Sequence, residues 1–496
     1  MMGDIRASLD PAHALDRAIA ALNRGDPELP LEDVDRALDQ SPHDYRLWHI
    51  KGLIHRTQER RELAIPALRK ATELAPQEPL VAHGYARVLL EAGLPSVQAF
   101  ARALKLAPAN TEVVTGLASA LVAEGRIDDA IAGIETVLRG SPLWTDGHAL
   151  LALLRWSAGE RHGFTRSFTE ALRAHPNSLD LRREQMVAML HADQFAEVLA
   201  LVEEGRSRFG PQPLFTATEA IVRSETGDVE AADRLFEEVA PLGVANFDLR
   251  WVRHLLRTSR APAALEVLDR WLDSPEQEMF WPYAATAWRL TDDPRSEWLE
   301  GDQRLVGAYD LSDKLPPLET LASTLRRLHH LNSQPLAQSV RGGTQTDGNL
   351  FQRIEPEIVA LREAIRAAVA DHAAALPELD PNHPLARGRP STIAFSGAWS
   401  VRLSGGGHHA NHVHPMGWLS SALYIVLPPD LGHGDHMGWL TLGEPQAELA
   451  LDLPPRRMIE PKPGRLALFP SWMWHGTRPF GEGERITIAF DVARRR

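Results

Sequence analysis

The chain has 496 residues with 53 basic and 66 acidic side chains, a formal charge of −13; that length exceeds one ordinary core, so at least two structural units are expected. Apolar residues at 44% and charged residues at 24% describe a globular protein rather than a disordered one, and the acidic balance offers no general positive field to a nucleic acid. Cysteine is absent, which excludes disulfides, thiolate metal sites and a cysteine nucleophile; any metal must be held by histidine, carboxylate or carbonyl. The first residues, MMGDIRASLDPAHALD, lack a basic start followed by an apolar run, and no later stretch approaches the roughly 20 apolar residues that span a bilayer. No membrane contact is expected, and the expected compartment is the cytoplasm.

Prolines recur at Pro42, Pro76, Pro108, Pro142, Pro176, Pro211, Pro241 and Pro275, at spacings of 34, 32, 34, 34, 35, 30 and 34. A second beat of turn residues, Gly25, Gly93, Gly125, Gly159 and Gly227, falls near the middle of the intervals, so each unit reads helix, turn, helix, proline. Small residues mark where the two helices of a unit can approach: Gly52, Gly84, Ala118 and Ala152 in the first, Ala71, Ala103 and Ala171 in the second. Runs such as ALRKATELAP and AFARALKLAP carry apolar residues at helical spacing and stop at a proline. This pattern resembles the tetratricopeptide repeat, most clearly at Trp48, Gly52, Ala64, Ala71 and Pro76, and departs from it at Phe164 and in the short unit ending at Pro241. The resemblance implies an α-helical solenoid over residues 1–300 whose groove receives a protein or peptide partner. The alternative is a scaffold that packs on its own carboxy-terminal domain and binds nothing else.

Beyond residue 300 the proline beat stops, and a connector is expected over 301–345, with a second domain over 346–496. His329 and His330 are adjacent on a helical stretch, face different ways, and read as surface or packing residues. Residues 354–375 form one helix whose stripe of Ile358, Leu361, Ile365 and Val369 is suited to a sheet. Strand signals follow in STIAFSGAWSVRL, WLSSALYIVLPP, GWLTL, RLALFPSWMW and RITIAFDV, as in a sandwich or barrel.

The densest chemical cluster is SGGGHHANHVHPMGW. On a strand, His412 and His414 project from one face, and His475 lies 61 residues after His414 at the end of another strand-like run. Three imidazoles leave positions open on an octahedral ion, an arrangement suited to oxygen-activating iron. Ten residues beyond His475, Arg485 begins the last strand; its guanidinium can grip the distal carboxylate of 2-oxoglutarate, with Thr487 on the same face and Tyr424 as a further donor. Blander readings attach to the neighbours. His433-Gly434-Asp435 is a literal His-x-Asp in a glycine-rich loop and reads as surface, as do His436, His408 and His409; Arg402 reads as a surface ion pair and Trp472 and Trp474 as packing, while the sharper alternative sets His408 or His409 at the entrance.

The segments QSVRGGTQTDGNLF, NHVHPMGWLSSALYIVLP, PGRLALFPSWMWHGTRPF and ERITIAFDV together resemble the 2-oxoglutarate- and iron-dependent oxygenase superfamily, in particular a bacterial and phage branch with a histidine-rich first strand and a terminal Arg-x-Ser/Thr strand. The resemblance spans roughly residues 335–496. It implies a double-stranded β-helix (jelly roll) that holds Fe(II) and couples decarboxylation of 2-oxoglutarate by O2 to hydroxylation of a second substrate. His414 stands where the superfamily carries Asp or Glu; the expectation is that it ligates as a third imidazole, the alternative that water fills the place. Two other functions stay open: a cupin-like or zinc enzyme using three histidines without 2-oxoglutarate, and a repeat adaptor with an inactive barrel.

Overall fold

The structure, a computed structural model, describes residues 10–26, 28–330, 336, 338–429, 431 and 436–495. It divides into two compact units, residues 1–136 with 352–359, and residues 137–351 with 360–496. Among the described residues no helix is long and apolar enough to cross a membrane.

In the first unit, helices pair as the sequence periodicity requires: Tyr45–Thr57 packs on Arg61–Leu74, and Pro79–Glu91 on Val97–Leu106. Close approach depends on missing side chains. A Cβ on Gly52 would lie 2.4 Å from Leu68 Cγ, and one on Gly116 would lie 2.2 Å from Phe100 Cε1. Ala71 and Ala103 are fully buried at the matching places. The turn glycines Gly25, Gly93 and Gly125 adopt φ near +70°, at 68, 73 and 73, a conformation that costs glycine nothing.

In the second unit the helix pairs continue, with Leu179–His191 against Phe195–Phe209, Pro213–Glu225 against Val229–Val239, and Ala245–Arg257 against Ala261–Leu268. Helix Trp281–Leu290 closes the series beside Arg295–Glu300. The short unit at Pro241 ends in a 3-10 turn over Ala240–Leu242. Nine strands follow among the described residues: β1 (Gly307–Asp310), β2 (Val340–Gln345), β3 (Phe395–His409), β4 (Gly417–Val426), β5 (Leu440–Leu442), β6 (Arg457–Ile459), β7 (Arg465–Pro470), β8 (His475–Thr477) and β9 (Arg485–Ala493). They make a six-stranded sheet in the order β1-β7-β4-β9-β3-β2 and a three-stranded sheet in the order β6-β5-β8, antiparallel throughout. A helical repeat region followed by an antiparallel β domain is thus the architecture, in keeping with the oxygenase fold. The stretch 301–345, read as a connector, contributes β1 and β2 to the larger sheet.

Between the sheets, Leu440, Leu442 and Ile459 meet Ala467, Phe469 and Met473. On the opposite side of β9, Ile486, Ile488, Phe490 and Val492 are fully buried, with Phe490 against Phe395 at 5.2 Å between ring centroids. Leu361, Ile365 and Val369 of helix Pro356–Ala375 are fully buried.

Helices and barrel are joined within this second unit. Trp474 donates its indole N–H toward Pro282 O (3.1 Å) and Thr286 Oγ1 (3.0 Å), and its ring meets Tyr283 edge-on at 5.4 Å. Arg289 donates to the carbonyls of Gly443 and Pro454, and Arg257 to that of Glu448 at 2.7 Å. At the same seam Glu300 lies 3.3 Å from Arg456. Burial pushes its carboxyl up to about 7 against the pull of Arg456 and Arg289. A carboxyl whose folded pKa is raised stabilises the fold below its unfolded value, and that contribution fades as pH climbs through about 7. Glu300→Gln should therefore raise the thermal unfolding temperature at pH 8 and leave it nearly unchanged at pH 5, compared by calorimetry at the two pH values.

Candidate metal centre

β3 ends at His409, and the chain runs through Asn411-His412-Val413-His414-Pro415 before β4 begins at Gly417. His412 and His414 were expected on a strand; they lie instead in an irregular segment. Pro415 has no N–H to give a ladder and restricts the residue before it. Two anchor points still keep the segment extended. His412 and His475 exchange both backbone hydrogen bonds at 2.9 Å, and the His414 N–H donates to Ser471 O at 2.9 Å. The period-two consequence survives, because both imidazoles turn to the side where His475 waits.

The three rings lie 4.9 Å (His412 to His414), 4.1 Å (His412 to His475) and 5.1 Å (His414 to His475) apart between centroids. Each offers one nitrogen, and these nitrogens all fall within 4.8 Å of one another. Every Nδ1 is already committed: His412 to Ala410 O at 2.9 Å, His475 to Met473 O at 3.0 Å, His414 to both carboxylate oxygens of Asp491 at 2.9 and 2.8 Å. An acceptor at Nδ1 fixes the proton there and leaves Nε2 with a free lone pair, the tautomer a metal needs. The Ser339 hydroxyl, 3.2 Å from His412 Nε2, marks the direction of that lone pair. Desolvation, followed by the neighbouring histidines, pushes His412 and His475 well below the usual histidine range, so both are neutral at physiological pH.

The same cavity is lined by Arg485 and Thr487, which alternate with buried apolar residues along β9, and by His409, Trp399 and Asp491. Arg485 is 1% exposed. It donates to Gly438 O at 2.9 Å and lies over the Tyr424 ring, 5.1 Å from its centroid. Its Nε is buried without a hydrogen-bond partner among the described residues, the Tyr424 hydroxyl is buried beside the guanidinium, and no carboxylate among those residues pairs with it. Burial pulls this guanidinium below its ordinary value, yet arginine stays charged. The arrangement is a buried cation that shares its cavity with the Nε2 atoms of three imidazoles.

Other residues take the plainer places. Arg402 pairs with Glu484 at 2.7 Å on the surface. His329 bonds Thr344 and Ser400 as a packing residue, and Trp472 and Trp474 are buried in packing contacts. His409, but not His408, lines the cavity; desolvation pushes it down to about 3. His433 and Asp435 lie outside the described residues. Asp491 is a functional candidate that motif spacing does not reveal. The signal for it is the alternation Arg485, Thr487, Ala489 carried one step further along the same face.

A family model described as "Putative 2OG-Fe(II) oxygenase" matches residues 397–491, and two tetratricopeptide-repeat models match residues 45–78 and 97–154. The chain therefore carries tetratricopeptide repeats followed by a domain of that oxygenase family. The matched segment holds all three histidines, Tyr424, Arg485, Thr487 and Asp491. No curated protein matches the chain. Among solved structures, a Pseudomonas putida prolyl-4-hydroxylase is similar at 19% identity over 41% of this chain and 97% of that one, with a TM-score of 0.27. YrrB, titled a TPR protein with an unusual peptide-binding site, is similar at 18% identity over 38% of this chain and 94% of that one, TM-score 0.30. MamA from Desulfovibrio magneticus RS-1 is similar at 16% identity over 36% and 99%, TM-score 0.30.

Because the three histidines offer equivalent nitrogens, His414→Ala should weaken metal binding as severely as His412→Ala or His475→Ala. Isothermal titration of the metal-free protein with Mn(II) checks this, and full retention in His414→Ala alone would remove that residue from the ligand set.

Proposed function

We propose that the chain is an Fe(II)- and 2-oxoglutarate-dependent hydroxylase whose helical repeats position a polypeptide substrate. The observation that carries this reading is the pairing, in one cavity, of three Nε2-directed imidazoles with a buried guanidinium that no carboxylate among the described residues neutralises. Placing a charge in such a site without a partner costs several kcal/mol, and a bound dicarboxylate offsets that cost. His412, His414 and His475 would hold the iron. Arg485 would take the distal carboxylate of 2-oxoglutarate, with the Thr487 and Tyr424 hydroxyls as further donors. Iron(II) with 2-oxoglutarate and O2 supplies the oxidising chemistry, releasing succinate and CO2 as the second substrate is hydroxylated.

The protein's own part is placement. Arg485, fixed by Gly438 O and the Tyr424 ring, sets where the cosubstrate sits. Trp399, Phe469 and Leu440 give the cavity its apolar wall. The repeat helices touch barrel loops through Arg257 and Arg289, so a polypeptide held along those helices is held beside the barrel. The proposed compartment is the cytoplasm, which suits a cysteine-free chain. A zinc or cupin-like enzyme would use the histidines and leave the Arg485 charge unexplained; so would an inactive adaptor.

Anaerobic reconstitution with Fe(II), followed by succinate measurement on admitting air, tests the proposal. Succinate should form only with both iron and 2-oxoglutarate present. Arg485→Ala should raise the KM for 2-oxoglutarate roughly 30-fold or more, matching about 2 kcal/mol or more for a buried charge-assisted pair. Turnover unchanged in that variant would sink the assignment.

A further inference from the structure

An imidazole ligates a metal as a neutral donor, so a divalent ion held by these three side chains alone would keep its full charge in a cavity that already contains the Arg485 guanidinium. A carboxylate is nevertheless within reach. Asp491 stands on the cavity face of β9 and accepts the His414 Nδ1–H through both oxygens, at 2.9 and 2.8 Å. The contact belongs to a closed ring of partners. Ser420 donates to Asp491 at 2.6 Å, its hydroxyl lies 3.0 Å from that of Ser471, and the Ser471 carbonyl accepts the His414 backbone N–H at 2.9 Å. Gly417 makes room for this ring, because a Cβ there would lie 2.5 Å from Ser471 Oγ. Both the ring plane and the backbone of His414 are thus fixed by the same few residues. The Nδ1 atoms of His412 and His475, by contrast, meet only neutral carbonyls.

We infer that Asp491 is the positioning residue that stands in for the carboxylate absent from the ligand set: it aims His414 Nε2 at the metal and returns the missing negative charge one hydrogen bond further out. The inference rests on the reading of the histidine triad as a metal site and adds to it a reason why histidine is tolerated at position 414. A carboxylate at the far nitrogen raises the basicity of a ligating imidazole and holds its tautomer. With Asp491 counted, the centre has the same net charge as one built from two histidines and a direct carboxylate, although the donor atoms differ.

The test is a double-variant cycle in the full chain, read as Co(II) affinity from ligand-field absorption without 2-oxoglutarate. Asp491→Asn keeps an oxygen acceptor for the His414 N–H and removes only the charge, so circular dichroism should be unchanged while Co(II) affinity falls about 10- to 100-fold. His414→Asp combined with Asp491→Asn moves the carboxylate from the outer position to the metal itself and should restore affinity to within a few-fold of the parent, with a changed absorption spectrum from the new oxygen donor. Parent-like affinity in Asp491→Asn would overturn the inference, as would a double variant no tighter than the single one, which would mark Asp491 as a purely structural residue. Co(II) binding needs no cosubstrate, so these results stand apart from succinate turnover. Failure of the parent protein itself to bind Co(II) would overturn the metal site and this inference with it.

Discussion

Two backbone hydrogen bonds, exchanged between His412 and His475 at 2.9 Å each, are the constraint on which the candidate centre depends. They join a segment that leaves the large sheet after β3 to the first residue of β8 in the small sheet. Residues far apart in the chain are thereby set directly opposite one another, with imidazole centroids 4.1 Å apart. An antiparallel pair fixes both partners' side-chain directions at once, so no further device is needed to aim these two rings. His414 requires one, since Val413 lies between it and the bridge, and it has the carbonyl of Ser471 for its backbone and Asp491 for its ring.

The polar content of the cavity so formed is costly. Arg485 is buried, and part of its guanidinium has no hydrogen-bond partner among the described residues; two of the three imidazoles are desolvated into neutrality. A core selected for stability alone would hold apolar side chains here, as Ile486, Ile488 and Phe490 do on the other face of the same strand. Local violations of this kind mark places where stability has yielded to ligand binding. β9 carries both demands at once through its period of two: one face completes a core, the other supplies Arg485, Thr487 and Asp491 to the cavity.

Much of this is legible in the amino-acid sequence. The proline beat locates helix pairs because a stacked repeat depends on its near neighbours in sequence, and Gly52 is identifiable as a contact point because only a missing side chain admits Leu68. The triad and Arg485 can be named from the His-x-His spacing, the strand-like runs that carry His475 and Arg485, and the resemblance of those segments to an oxygenase superfamily. Pairing across the sheet is not legible. Asp491 meets a histidine 77 residues away, and nothing local in AFDVA announces that partner. β1 and β2 escape notice for another reason: GAYD and VRGGTQ lack the alternation by which strands are recognised. Glycine at 343 is nonetheless required there, since a Cβ would lie 2.4 Å from Arg402 O.

The repeat region bears on the centre more directly than a detachable recruiting arm would. Trp474 immediately precedes His475, and its indole is held by Pro282 and Thr286 of helix Trp281–Leu290. Neighbouring residues in an extended run face opposite ways, so the side chain that sets the position of His475 from behind is the one embedded in the helices. Arg289 adds a hold on Gly443, whose own N–H donates to Trp474 O at 2.7 Å. The last helical pair is therefore a wall of the β domain, and its packing surface is spent on the barrel. Helices 281–300 thus act as a scaffold for the β domain.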